Sequence, residues 1–220
     1  FSGSAQAANC TQALAYDWDF GDGSAHVQAA QASHAYAANG TYQWTFKASS
    51  GATVGTKSGT LVVGDLPPNL WMLPLVHTPG DKGAQWRSAL TVINTGDADS
   101  TVILSYTDSA GTSTQGYTLS AGAFLRWEDA TQDLFLLTGD TYGALQVFSD
   151  AGLVVSTRIY TGSAAGSYGQ SFYGVSAADA VGNSAWGMVP DLLNSSQFRT
   201  NVGFLNFGDA TAYVTYSMLS

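Results

Sequence analysis

Three histidines, a few closely spaced carboxylates and scattered serines are the groups in this chain able to move a proton, hold a cation or attack a bond. His77 can act as a base, with Ser88 or Ser167 as nucleophile and Asp81 or Asp97 as orienter. Such a serine is expected on a G-x-S-x-G elbow between a strand and a helix, and Gly166-Ser167-Tyr168-Gly169 lacks that spacing. Glu128 and Asp129 are adjacent, so an extended chain turns them to opposite faces, which is not a glycosidase pair. His26, His34 and His77 sit on separate segments without metal-ligand spacing. Asp17, Asp19 and Asp22 can supply oxygen to a calcium ion, but the twelfth position of an EF-hand pattern holds Gln28 instead of Glu. The expectation is no catalytic residue, no cofactor and no metal: not an enzyme.

Composition narrows the field further. Of 220 residues 45% are hydrophobic and 10% charged, and seven Lys and Arg face sixteen Asp and Glu, a net charge of −9. Phosphate backbones are bound by clustered cations, so this charge balance opposes such binding and nucleic acid is not an expected partner. No apolar run approaches the roughly 18 residues needed to cross a bilayer, so no membrane insertion is expected. The single cysteine, Cys10, has no intrachain partner, and its small side chain is expected in a core. Phe1 is not preceded by Met, no basic stretch leads an apolar one, and the chain stops on an alternating segment at Ser220. It reads as a piece of something longer, with no signal peptide in it.

The elements that must position these groups are strands. Period-2 or continuous apolar runs recur over 41–48, 59–63, 90–93, 101–106, 144–148 and 153–160, rich in Val, Thr, Ile, Tyr and Phe. Turn clusters separate them, among them Gly21-Asp22-Gly23, Asn39-Gly40, Asp108-Ser109-Ala110-Gly111 and Asp150-Ala151-Gly152. Only the Ala-rich stretch near Ser176 to Val181 can hold a turn or two of helix. Pro67-Pro68, within the linker 65–70, lacks ladder donors and stiffens the chain. The fold class is all-β, with tandem Ig-like sandwiches: 1–64, then 71–185, then 186–220.

The third segment follows from an internal repeat. Gln85-Trp86-Arg87-Ser88-Ala89-Leu90-Thr91-Val92-Ile93-Asn94-Thr95-Gly96-Asp97-Ala98 returns 112 positions later as Gln197-Phe198-Arg199-Thr200-Asn201-Val202-Gly203-Phe204-Leu205-Asn206-Phe207-Gly208-Asp209-Ala210. Trp71 and Pro74 precede the first copy, Trp186 and Pro190 the second, and each copy leads into an alternating strand, Val102/Leu104/Tyr106 and Val214/Tyr216. Residues 186–220 therefore read as the start of a second, truncated repeat, or as a segment completing the sandwich before it. The recurring Arg87 and Arg199, each with an Asn downstream, favour a network that fixes the strand start over a clasp for a carboxylate or sugar.

Residues 16–23, Tyr-Asp-Trp-Asp-Phe-Gly-Asp-Gly, followed by His34-Ala35-Tyr36 and Gly40-Thr41-Tyr42-Gln43-Trp44-Thr45-Phe46, closely resemble the PKD domain. The resemblance implies a small Ig-like sandwich over 1–64 and an accessory module of secreted or surface bacterial proteins. Trp18 and Phe20 alternate with acids, and Tyr42, Trp44, Phe46 and Ala48 share a strand face, which makes Trp44 a core residue rather than a binding platform. The second unit resembles an uncharacterised Ig-like repeat of large secreted bacterial proteins, carried by Trp71-x-x-Pro74, His77-Thr78-Pro79-Gly80 and Asn94-x-Gly96.

Of the aromatic residues Trp127, Tyr142, Tyr160, Tyr168, Phe172 and Tyr173, the Gly-flanked stretch 168–173 is expected in a loop. There Tyr168, Phe172 and Tyr173 are the candidate ligand-binding residues. The expected function is a non-catalytic extracellular spacer and adhesion or substrate-targeting element, or a carbohydrate- or protein-fibre-binding module of a secreted hydrolase. Its expected partners are polysaccharide or extracellular protein and the other domains of the parent chain. The expected location is the cell surface or the medium.

Overall fold

The computed structural model describes residues 1, 3–5, 12–65, 68–163, 166–182, 185–189, 200, 202–208 and 210–217. Cys10, Pro67, Pro190 and Arg199 lie outside them. The chain is all-β and antiparallel. Its first sheet has the order β1 (Ala15–Asp19), β2 (Gly40–Ser50), β3 (Thr53–Val63). Alternation does the folding here: Trp18 stands opposite Phe46 in the register, and both are buried with Phe20 and Ala48. Trp44 packs half-buried against this cluster, as its parity requires. A bridge between Trp18 and Val27 extends this sheet past β1, and the segment at Gly3, whose N–H donates to Ala30 O at 2.8 Å, lies against the Phe46 ring.

The remaining strands are β4 (Asn69–Pro79), β5 (Gln85–Asn94), β6 (Ser100–Asp108), β7 (Gly111–Leu119), β8 (Phe124–Trp127), β9 (Thr141–Ser149), β10 (Leu153–Ser163), β11 (Gly166–Tyr173) and β12 (Val175–Ser176). They form two layers that meet where β4 turns into β5. One layer runs β11-β10-β5-β8 and the other β12-β4-β9-β6-β7. Between them lies a second core of Leu73, Leu75, Leu90, Val92, Val102, Leu104, Tyr106, Leu145 and Val147. Each of these residues sits at one parity of its strand, so its neighbours in sequence face outward.

Four expectations need correction. The Ala-rich stretch after Ser176 makes one hydrogen-bonded turn, Asp179 N–H to Ser176 O at 3.1 Å, and no helix. The helical turns lie elsewhere, a 3-10 turn at Asp81–Gly83 and a π turn at Ala130–Leu134. The aromatic stretch 168–173 is strand β11 rather than a loop, because its backbone pairs along the whole of β10. Asn69 and Leu70 belong to β4, paired with Ser149 and Phe148. The alternating segment around Val214 and Tyr216 is not paired: no strand is assigned after Ser176 among the described residues, and Tyr213 is 95% exposed. Period-2 alternation makes a strand only where a neighbour accepts its ladder.

Candidate functional site

Three places gather the groups singled out in the sequence. The first is β11. Tyr168 and Phe172 pair with Thr161 and Thr157 of β10, whose side chains are buried in the core layer, so both aromatics stand on the core side of the sheet. Tyr173 has the opposite parity and stands on the outer side, opposite Ser156. The strand lies beyond the end of the core, which leaves Tyr168 and Tyr173 exposed while Phe172 is half-buried. The structure thus brings Tyr168 and Phe172 to one face and Tyr173 to the other.

On that outer side Arg87, Tyr160 and Gly169 form one cross-strand row. The guanidinium carbon of Arg158 lies 4.9 Å from the Tyr160 ring centre and that of Arg87 5.7 Å from it, both within cation-π range. Gly169 is required at its position: a Cβ there would meet Ile159 O at 2.5 Å and Tyr160 Cβ at 2.6 Å. Arg87 and Asn94 have opposite parities on β5 and do not share a network. Asn94 points inward, its amide donating to Leu119 O at 2.9 Å and Ala98 O at 2.8 Å.

The second place surrounds His77, near the end of β4. Its Nδ1 lies 2.7 Å from Asp129 Oδ2, and Asp129 Oδ1 accepts from Thr131 Oγ1 at 2.9 Å. The acid beside the imidazole is therefore neither Asp81 nor Asp97. A carboxylate at Nδ1 assigns the proton to that nitrogen and leaves Nε2 to accept from the Gln132 amide at 3.1 Å. Ser88 Oγ is engaged by the Val76 backbone, donating to Val76 O and accepting from Val76 N–H, while Ser167 Oγ accepts from Arg158. An orienting acid and a base are present, but an amide occupies the position a nucleophile needs. The spacing that would have revealed the His77–Asp129 pair is 52 residues, beyond any local motif.

The third place is the Gly-rich turn after β1. Asp19 Oδ1 accepts the Gly21 N–H at 2.9 Å and Asp22 Oδ1 the Ser24 N–H at 3.1 Å. His34 Nε2 meets Asp22 Oδ2 at 2.7 Å while its ring stacks on Phe20 at 4.2 Å, and the Tyr36 hydroxyl donates to Phe20 O at 3.0 Å. Gly21 and Gly23 both take φ of 77°, the left-handed region. His26 reaches Asp17 at 3.0 Å and Asp19 at 3.4 Å. The carboxylates that could ligate calcium are thus bound to imidazoles and backbone amides, and no group of three metal-ligating residues converges among the described residues.

Residues 1–63 match the family model of the PKD domain. PKD domains are non-catalytic modules of generally extracellular proteins. The turn that joins the Trp18/Phe20 strand to His34 and Tyr36 in this PKD unit works as a structural clamp. No curated protein matches the chain. A crystal structure of a Thermotoga maritima protein is similar at 13% identity, covering 50% of this chain and 94% of its own, with a TM-score of 0.39. No helix among the described residues is long and apolar enough to cross a membrane.

The clamp carries a pH signature. Hydrogen bonding from Ser24 and then from His34 holds the Asp22 carboxyl down to about 2, from an ordinary value of 3.8. A carboxyl depressed in the folded state stabilises the fold above its unfolded pKa, and that contribution is lost as pH falls through the folded pKa. Asp22→Asn is therefore expected to remove the part of the acid-unfolding curve that falls between about 3.8 and about 2. Equilibrium circular dichroism against pH checks this, and unchanged slopes in the variant would refute the clamp.

The PKD unit rests on the outer side of β6, β7 and β9. Gln43 Nε2 donates to Thr60 Oγ1 at 2.9 Å and to Gly116 O at 3.1 Å, and the Gly116 N–H donates to Thr60 Oγ1 at 3.1 Å. Ile103 faces away from the core of the second unit, yet is fully buried because this seam covers it. Two clefts of about 290 and 580 Å3 lie along the seam, and no histidine, cysteine, lysine or arginine lines either.

Proposed function

We propose that this chain is a non-catalytic extracellular accessory module, a stiff spacer that presents a binding face for adhesion or substrate targeting within a larger secreted or surface bacterial protein. The observation that carries this reading is the seam: two separately cored units are docked through Gln43, Thr60 and Gly116 rather than left to swing on a linker. A docked pair holds a neighbouring domain at a set distance and needs no active site. The amide of Gln132 on His77 supports the non-enzymatic side of the reading for the whole chain.

The proposed organisation is a PKD unit over 1–64, a linker over 65–70 whose last two residues already pair in β4, an Ig-like repeat over 71–185, and a second copy of its repeat element within 186–220. The two copies share a local signature. Asn94 Oδ1 accepts the Gly96 N–H at 2.9 Å while its amide donates to Ala98 O, and Asn206 does the same with Gly208 at 3.0 Å and Ala210 at 2.7 Å. The turn forms in both copies because its bonds lie within five residues.

The test is a pair of assays. Incubation with ester, peptide and glycoside substrates is expected to give no turnover, and turnover abolished by His77→Ala would overturn the reading. Retention on insoluble chitin, cellulose or collagen, weakened by Tyr168→Ala or Phe172→Ala, would place the targeting surface on the core side of β11.

A further inference from the structure

Seven lysines and arginines serve the whole chain, and three of them, Arg87, Arg126 and Arg158, stand on the outer side of the β11-β10-β5-β8 layer. The register places them. The row Tyr173, Ser156, Thr91, Arg126 crosses four strands, and the rows containing Arg158 and then Arg87 with Tyr160 follow at intervals of two residues. Four strands at about 4.8 Å spacing make a face about 14 Å across, each step of the order of one sugar residue. Tyr173, 73% exposed, leaves its ring open at one edge of the face. Arg126 is fixed at the other edge, with Nε 2.8 Å from Glu128 Oε1 and Nη1 3.2 Å from Thr91 Oγ1.

Two features mark this face as more than a solvated surface. The Arg87 Nε–H is shielded from solvent and has no hydrogen-bond partner among the described residues, although a guanidinium normally directs all its donors to acceptors. The positive charge is also undercompensated. Glu128 answers Arg126, while Arg158 bonds only to the neutral Ser167 hydroxyl and the Tyr160 ring among the contacts resolved. Hydrogen bonding by Arg126 holds the Glu128 carboxyl below its usual range, and the charge of Arg158 adds to this.

We infer that the outer face around Arg87, Arg158, Tyr160 and Tyr173 binds the carboxylates of an acidic polysaccharide, a uronate-bearing chain laid across the strands. Guanidiniums grip carboxylates with paired donors, and an exposed ring beside them covers the apolar face of a sugar. A stiff, extended polymer with a charge on each unit matches charges spaced across a flat sheet. An acidic peptide adding to the sheet would instead follow the β11 edge and leave these side chains aside. The inference rests on the accessory-module reading and supplies the ligand class for its targeting role.

The probe is polygalacturonate in affinity electrophoresis of the full chain, with dextran and polyglutamate in parallel gels. Retardation is expected in polygalacturonate, absent in dextran, weaker in polyglutamate, and falling as salt is raised. Arg158→Gln is expected to weaken it about tenfold, the loss of one charge-assisted contact. Tyr173→Ala is expected to weaken polygalacturonate binding and spare the polyglutamate signal. Because Arg87→Gln touches a shielded group, its thermal midpoint is read alongside, and Arg158→Gln carries the test if Arg87→Gln unfolds. Retardation equal in dextran, retardation unmoved by Arg158→Gln, a response to polyglutamate alone, or no retardation in any gel would each overturn the inference. None of these results produces turnover, so failure here is distinct from failure of the non-enzymatic reading.

Discussion

Replacing Asn94 with Leu is expected to lower the stability of the second unit by about 3 kcal/mol, a fall of roughly 10–15 °C in its thermal midpoint. Asn94 is fully buried, and its short amide satisfies three backbone groups at once, Ala98 O, Leu119 O and the Gly96 N–H. Leucine has nearly the same shape and none of the donors, so the packing is kept while polar groups are left without partners in an apolar surround. That asymmetry makes the change costly: the volume is conserved and only the hydrogen bonding is lost. Asn206→Leu is the matched control. Asn206 makes the same local turn but is exposed, so water replaces its bonds and the midpoint should move by no more than about 2 °C. Differential scanning calorimetry of both variants checks the pair. Equal shifts would mean that the turn acts locally in both copies and that burial adds nothing.

Gly116→Val is expected to separate the PKD unit from the second sandwich while both stay folded. Gly116 lies in β7 with its missing side chain aimed at the seam, where a Cβ would meet Thr41 Cγ2 at 2.5 Å and Thr60 Cγ2 at 3.1 Å. Valine suits a strand, so β7 itself is not weakened. The bulk falls instead on the contact between units, pushing apart the Gln43–Gly116 and Gly116–Thr60 hydrogen bonds and uncovering Ile103. Small-angle scattering should show a larger maximum dimension and a broadened distance distribution, and proteolysis should become faster at 64–68. A scattering curve identical to that of the parent would show that the seam contributes nothing to stiffness, and the spacer role would fall with it.

The sequence alone was sufficient wherever the decisive interactions span a few residues. Strands β2, β5, β6, β9 and β10 follow from alternation or β-branched runs, because a pleat turns successive side chains to opposite faces whatever lies beyond them. The Asp22 turn and the Asn94 and Asn206 turns are legible for the same reason, each closing within its own loop. The PKD resemblance rests on such motifs, and residues 1–63 match that family.

Tertiary structure decided the rest. The polar and Gly-rich β7 and β11 carry no alternating signal and exist because β6 and β10 offer them a ladder. Val214 and Tyr216 do carry that signal and stay unpaired among the described residues, for want of such a neighbour. His77 meets Asp129 across 52 residues, and Arg87 meets Tyr160 through the register of β5 on β10. Gly116 looks like any strand glycine until another unit rests against it. Periodicity states which face a residue takes, and only the pairing of strands and the docking of units state what that face meets.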